Sequence, residues 1–176
     1  TDLSLVPDLA PNLEWIDLYE GNVPDLSPLF GMSSLGYVQI EGAGLFANNL
    51  GQPDTLRDTY GVNVEGTPIV TDLVSNVSFG NPELAQCVQD VYPGIVVTSQ
   101  MSWIDCAGRL DVTDLVGLEA FPRIDGINMS DTSISDLTPI LDLQLLNYIS
   151  LYNVTLDDPD QVQQLRDRGV FVEGQP

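Results

Sequence analysis

The residue types that usually carry out reactions are scarce in this sequence. It has no His and no Lys, its cations are five Arg, and its thiols are Cys87 and Cys106. The common nucleophile–base pairs need one of the missing types, so acyl- or group-transfer chemistry has no obvious parts. Carboxylates abound, with 26 Asp and Glu in 176 residues, but at that density two acids lying close together carry no signal. No G-x-G-x-x-G or G-K-[ST] phosphate loop occurs. The expectation is a protein that is not an enzyme.

Metal and anion chemistry are limited in the same way. A structural zinc site needs four ligands, and a chain with two cysteines and no His supplies too few. Cys87 and Cys106 either pair as a disulfide or remain buried thiols. The disulfide would point to an exported protein, and closing a loop of this size would stabilise it by about 3 kcal/mol. A net charge of −21 excludes nucleic acid, because nothing could neutralise phosphates, and disfavours anionic membrane surfaces. Three readings of the acidity stay open: a solvated surface kept soluble by repulsion, adaptation to a salty or calcium-rich medium, or a docking face for a cationic partner. No apolar run approaches the ~20 residues of a membrane span. No basic segment followed by an apolar one opens the chain, so any signal peptide is expected to have been removed already.

The elements that must position these residues are set by a period. A shift of 22 carries Asp114-Leu115-Val116-Gly117-Leu118 onto Asp136-Leu137-Thr138-Pro139-Ile140, and takes Ile124, Ile127, Met129 and Ile134 to Leu146, Ile149, Leu151 and Leu156. The same shift takes Leu13, Ile16, Leu18 and Val23 to Leu35, Val38, Ile40 and Leu45. Asp25-Leu26-Ser27-Pro28-Leu29 opens the second of these units, and Asp2-Leu3-Ser4 opens the first with one residue inserted. A partial unit with Ile104, Cys106, Val112, Asp114 and Leu115 precedes the later set. Apolar residues two apart alternate as in a strand, so both point to one face. The Asp-Leu-[Ser/Thr]-Pro segment suits the start of a short helical turn. One unit cannot cover its own apolar face, whereas stacked units share a parallel sheet and a core.

These residues resemble the bacterial leucine-rich-repeat family with 22-residue units, the internalin-like type, over roughly residues 1–45 and 103–172. The resemblance implies an α/β repeat solenoid with a curved parallel sheet, short helical or 3-10 turns on the convex side, and capping segments. The family's Asn ladder is absent, replaced by Gly21, Ala43, Thr132 and Val154. Leu56-Arg57-Asp58 with Gly61-Val62-Asn63-Val64-Glu65-Gly66 echoes Leu165-Arg166-Asp167 with Gly169-Val170-Phe171-Val172-Glu173-Gly174, which reads as a closing cap in each half. The expected organisation is a first array over 1–66 without an opening cap, a connection over 67–80, and a second array over 81–176. Thr1 falls inside a repeat, so further repeats are expected upstream. Asn81-Pro82 starts a cap helix with apolar spacings of three and four. The relatives commonly begin with such a segment, and a Cys87–Cys106 bridge would staple it to the first repeat.

The outward positions of the sheet carry the functional reading. In successive units one such position is Trp15, Tyr37, Trp103, Gly126 and Tyr148. Two residues on it is Asp17, Gln39, Asp105, Asn128 and Ser150, and two further it is Tyr19, Glu41, Ala107, Ser130 and Tyr152. Large stiff rings beside acids and amides suit a binding face for a protein, or for a carbohydrate that stacks on rings. The expected partner-binding set is Trp15, Asp17, Tyr19, Tyr37, Gln39, Trp103, Asp105, Tyr148 and Tyr152. The recurring Asp2, Asp25, Asp114 and Asp136 either cap backbone N–H groups or hold calcium, the one cofactor considered. Asn76, Asn128 and Asn153 match a glycosylation pattern too loose to weigh. The expectation is an exported or cell-surface bacterial module that recognises a protein. The alternative is a structural subunit of a surface or extracellular assembly, covered by other chains and stabilised by calcium.

Overall fold

A computed structural model describes residues 2–175. The chain divides into two compact units, Thr1–Asp72 and Leu73–Pro176. Each is an α/β repeat fold in which parallel three-residue strands alternate with turns and short helices.

In the first unit, the short helix α1 (Val6–Leu9) precedes β1 (Trp15–Asp17). Next come a 3-10 turn at Ser27–Leu29, β2 (Tyr37–Gln39) and β3 (Gly44–Phe46). Helix α2 (Gln52–Tyr60), β4 (Asn63–Glu65) and β5 (Ile69–Thr71) complete the unit. Strands β1, β2 and β4 form one parallel sheet in which Trp15 lies beside Tyr37 and Tyr37 beside Asn63. Alternation buries Val38 and Val64 against Leu26, Leu29, Leu45 and Leu56. Ile16 is half-buried, as its strand lies at the sheet's edge.

The second unit opens with a 3-10 turn at Val74–Asn76 and helix α3 (Pro82–Val91). Strands β6 (Trp103–Asp105), β7 (Gly126–Asn128) and β8 (Tyr148–Ser150) follow, then helix α4 (Asp160–Asp167) and β9 (Phe171–Glu173). The four strands pair in sequence order, all parallel, with 3-10 turns at Leu118–Ala120 and Thr138–Ile140 between them. Ile104, Ile127 and Ile149 are fully buried in one row, with Phe121 the largest side chain of the core behind them.

The stretch 67–80 is built into the units. Ile69–Thr71 pairs with β3 as a second, two-stranded sheet, and Val74 is buried in the second core. The sequence pattern gives no hint of the β3–β5 pair.

Helix α3 is held at both ends. Asn81 Oδ1 accepts from the Leu84 N–H (2.8 Å) as an N-cap, and its Nδ2 donates to Thr113 Oγ1 (2.8 Å) in the first repeat. Cys87 and Cys106 are bonded, with Cα atoms 5.9 Å apart, and both are buried. Arg109 pairs with Asp90 at 2.7 Å. The closing helices carry a matched lock. The Leu26 N–H donates to Gln52 Oε1 (2.6 Å) while Gln52 Nε2 donates to Asp25 Oδ1 (2.7 Å). In the second unit the Leu137 N–H donates to Gln161 Oε1 (2.8 Å) and Gln161 Nε2 to Asp136 Oδ1 (2.7 Å).

Where an Asn ladder would run, the backbone closes the turns itself. Five residues after the first outward position the chain turns left-handed at Glu20, Gly42, Gly108, Asp131 and Asn153. There the N–H groups of Glu20 and Asp131 donate to the carbonyls of Glu41 and Tyr152, two residues past the following strand, both at 2.8 Å. Thr132 Oγ1 adds a bond to the Met129 carbonyl (2.7 Å).

Candidate binding face

Each sheet has one face turned away from its core, and the register sorts that face into columns. The first column in the first unit is Trp15, Tyr37, Asn63; in the second it is Trp103, Gly126, Tyr148, Phe171. The expected ring residues Trp15, Tyr37, Trp103 and Tyr148 therefore stand on the outward faces of their sheets. The closing segments expected at 61–66 and 169–174 each contain a strand that extends the columns. Strands β4 and β9 add Asn63 and Glu65, Phe171 and Glu173 to the same columns. Continuing the alternation past Val62 and Val170 would have found them.

In the second unit the rings touch. Trp103 stacks on Tyr148 with centroids 5.5 Å apart, and Tyr148 on Phe171 at 6.1 Å. Trp103 and Tyr148 lie two strands apart, about 10 Å at ordinary spacing, and meet because Gly126 separates them. A Cβ at Gly126 would collide with the Trp103 ring, so glycine is what lets the indole lean across β7. Phe171 stays 62% exposed and Trp103 40%. In the first unit Trp15 is 63% exposed and has no ring contact among the described residues.

A tyrosine–glutamate pair recurs. The Tyr37 hydroxyl donates to Glu65 (3.1 Å), and the Tyr148 hydroxyl donates to Glu173 (2.6 Å). Desolvation and the Glu65 bond raise the Tyr37 pKa, while the Glu173 bond followed by desolvation raises that of Tyr148. Both phenols therefore stay protonated at neutral pH and act as fixed donors.

The second column also serves the backbone. Asp17, Gln39, Asp105 and Asn128 each accept an N–H two residues on, from Tyr19 (2.9 Å), Glu41 (3.1 Å), Ala107 (3.0 Å) and Ser130 (3.2 Å). These side chains end the strands as Asx-like turns. Asp17 and Asp105 remain exposed, with acceptor capacity left. In the third column Tyr19 and Tyr152 are exposed, and Ser130 is buried against Ser150 (Oγ–Oγ 2.8 Å).

The four recurring aspartates are engaged one by one. Asp2, Asp25, Asp114 and Asp136 accept the N–H groups of Ser4, Ser27, Val116 and Thr138 at 2.8 to 3.0 Å. Three are held below the usual carboxylate value. For Asp2 the Ser4 N–H dominates, and for Asp136 the Thr138 hydroxyl and then Gln161. For Asp25 burial opposes, but bonds from Ser27 and Gln52 outweigh it. Among the described residues no three acidic or thiol groups gather as a metal site, and no helix is long and apolar enough to cross a membrane.

No family model matches the sequence, and no curated protein matches it. Among solved structures, an internalin from Listeria monocytogenes is similar to 98% of this chain, at 15% identity and a TM-score of 0.38. The alignment spans 50% of that protein's chain, so this chain covers about half its length.

Proposed function

We propose that the chain is a non-enzymatic leucine-rich-repeat recognition module, a solenoid of 22-residue units whose concave sheet faces bind a protein partner outside the cell. The observation that supports this most is the set of exposed rings on the outward faces of the strands and in the turns that follow them: Trp15, Tyr19, Trp103, Tyr152 and Phe171. A merely solvated sheet face needs none of them, since small polar or charged side chains would expose less apolar area. Rings beside hydrogen-bonding groups supply large contact area at low entropy cost. In the second unit stacking on Tyr148 orders two of them, Trp103 and Phe171, in advance, which lowers the cost of binding. The buried disulfide favours an oxidising, exported setting.

The test is capture of extracellular proteins on the immobilised chain and on a variant with Trp15→Ala, Tyr37→Ala, Trp103→Ala and Tyr148→Ala. Circular dichroism establishes that the variant is folded. A partner held by the native chain and lost by the variant is expected. Undiminished capture by the folded variant overturns the reading.

A further inference from the structure

The outward face of the first unit has a partner chemistry written into it. Strand β1 and the turn after it present Trp15, Asp17 and Tyr19, all exposed, so that a carboxylate lies between two rings. The turn after β2 adds the exposed carboxylate of Glu41, and β4, two strands from β1, adds that of Glu65. Glu65 accepts the Tyr37 hydroxyl and Glu41 the Thr67 N–H (2.8 Å), which fixes both while leaving further lone pairs open. Among the described residues of the unit one side chain carries a positive charge against these acids. Residues 1–72 hold eleven Asp and Glu and one cation, Arg57, which is turned to Asp54 (2.6 Å) and the Val64 carbonyl (3.2 Å). Trp103 shares a ring face with Tyr148, whereas Trp15 has no ring against it among the described residues.

We infer that this face takes an extended, cationic peptide segment of the partner, its Arg or Lys side chains lying on the Trp15 and Tyr19 rings beside Asp17, Glu41 and Glu65. An open indole face attracts a guanidinium or ammonium group through its quadrupole, and an adjacent carboxylate anchors it by charge-assisted hydrogen bonds. An anionic segment is repelled, and a neutral one leaves the carboxylates desolvated without a partner. The inference rests on the recognition reading above and adds the chemistry of the partner.

The probe is a blocked peptide of alternating Ser and Arg, titrated calorimetrically into the whole chain at about 0.15 M salt, where diffuse attraction is screened. Trp15→Ala should weaken binding about tenfold. Asp17→Asn with Glu65→Gln should weaken it at least as much, because the amides keep the oxygens that accept from the Tyr19 N–H and the Tyr37 hydroxyl, give up the long Asn63 bond to Glu65 (3.4 Å), and remove both charges. Asp8→Asn with Asp58→Asn removes the same charge from helices α1 and α2, and should change binding less than twofold. Equal weakening by the two double variants overturns the proposal, since the peptide would then sit in a diffuse ion atmosphere. So does unchanged binding by Trp15→Ala, tighter binding of a Ser–Glu peptide or a neutral oligosaccharide, or no binding at all. If the Ser–Arg peptide fails while the four-ring variant still loses its captured partner, the cationic assignment falls and the recognition reading stands.

Discussion

At the scale of residues, Asp136 and Gly126 show how much depends on single positions. Hydrogen bonds from Thr138 and Gln161 hold the Asp136 pKa below its ordinary value of 3.8. The folded state therefore prefers the ionised carboxylate. Its stabilisation is complete above the unfolded value and is lost as pH falls through the lowered folded one. Asp136→Asn should flatten that part of the acid loss, so urea midpoints measured between about pH 5 and pH 2 should fall less steeply than in the native chain. Equal slopes would contradict the assignment. Gly126→Ala places a methyl group where the Trp103 ring lies and should break the Trp103–Tyr148 stack. The near-ultraviolet circular dichroism should change while the far-ultraviolet spectrum stays as it is. Capping of a backbone N–H by Asp136 is one of the two readings its recurrence allows, but the bond from Gln161 and the role of Gly126 are not in the sequence. Gly126 is conspicuous there as a gap in an aromatic column, but that a ring crosses it is a tertiary fact. The turn-closing job of Asp17, Gln39, Asp105 and Asn128 was likewise hidden, because residue type alone does not say which N–H a side chain will accept.

At the scale of elements, the repeating strands were legible and their neighbours were less so. Ile104, Ile127 and Ile149 recur with the period because one buried row demands apolar residues at that spacing, and burial of this kind leaves a pattern. The β3–β5 pair leaves none. Gly44–Phe46 and Ile69–Thr71 are three residues each, and their pairing rests on backbone contacts such as the Ile69 N–H to the Ala43 carbonyl (2.8 Å). Gln52 and Gln161 could have been found, since each stands four residues before the matched Leu56 and Leu165. What they bind could not. Helix α3 was anticipated from Asn81-Pro82, and its tie to the first repeat runs through Asn81, Asp90 and the Cys87–Cys106 bond. Cys87→Ser with Cys106→Ser should cost the second unit about 2–4 kcal/mol, seen as a lower denaturation midpoint. A midpoint equal to that of the native chain would mean that the helix is held without the bond.

At the scale of the whole molecule, five Arg against 26 acids leave a net charge of −21, and ion pairs such as Arg57–Asp54 and Arg109–Asp90 engage few of those acids. Compacting that charge is unfavourable, and salt relieves it. Raising NaCl from about 0.01 M to 0.1 M shortens the screening length from about 30 to 10 Å and should raise the Tm by several degrees. A flat or falling Tm would mean that the acidic surface is not self-repelling. The recognition reading follows from the same surface, because the exposed rings stand among carboxylates on the outward sheet faces. The most direct measurement is hydroxyl-radical footprinting of the chain alone and with its captured partner, read ring by ring. Trp15, Tyr19, Trp103, Tyr152 and Phe171 should be protected, with Tyr60 on helix α2 oxidised equally in both states. Protection of Tyr60 with the five sheet rings unchanged would contradict the recognition reading.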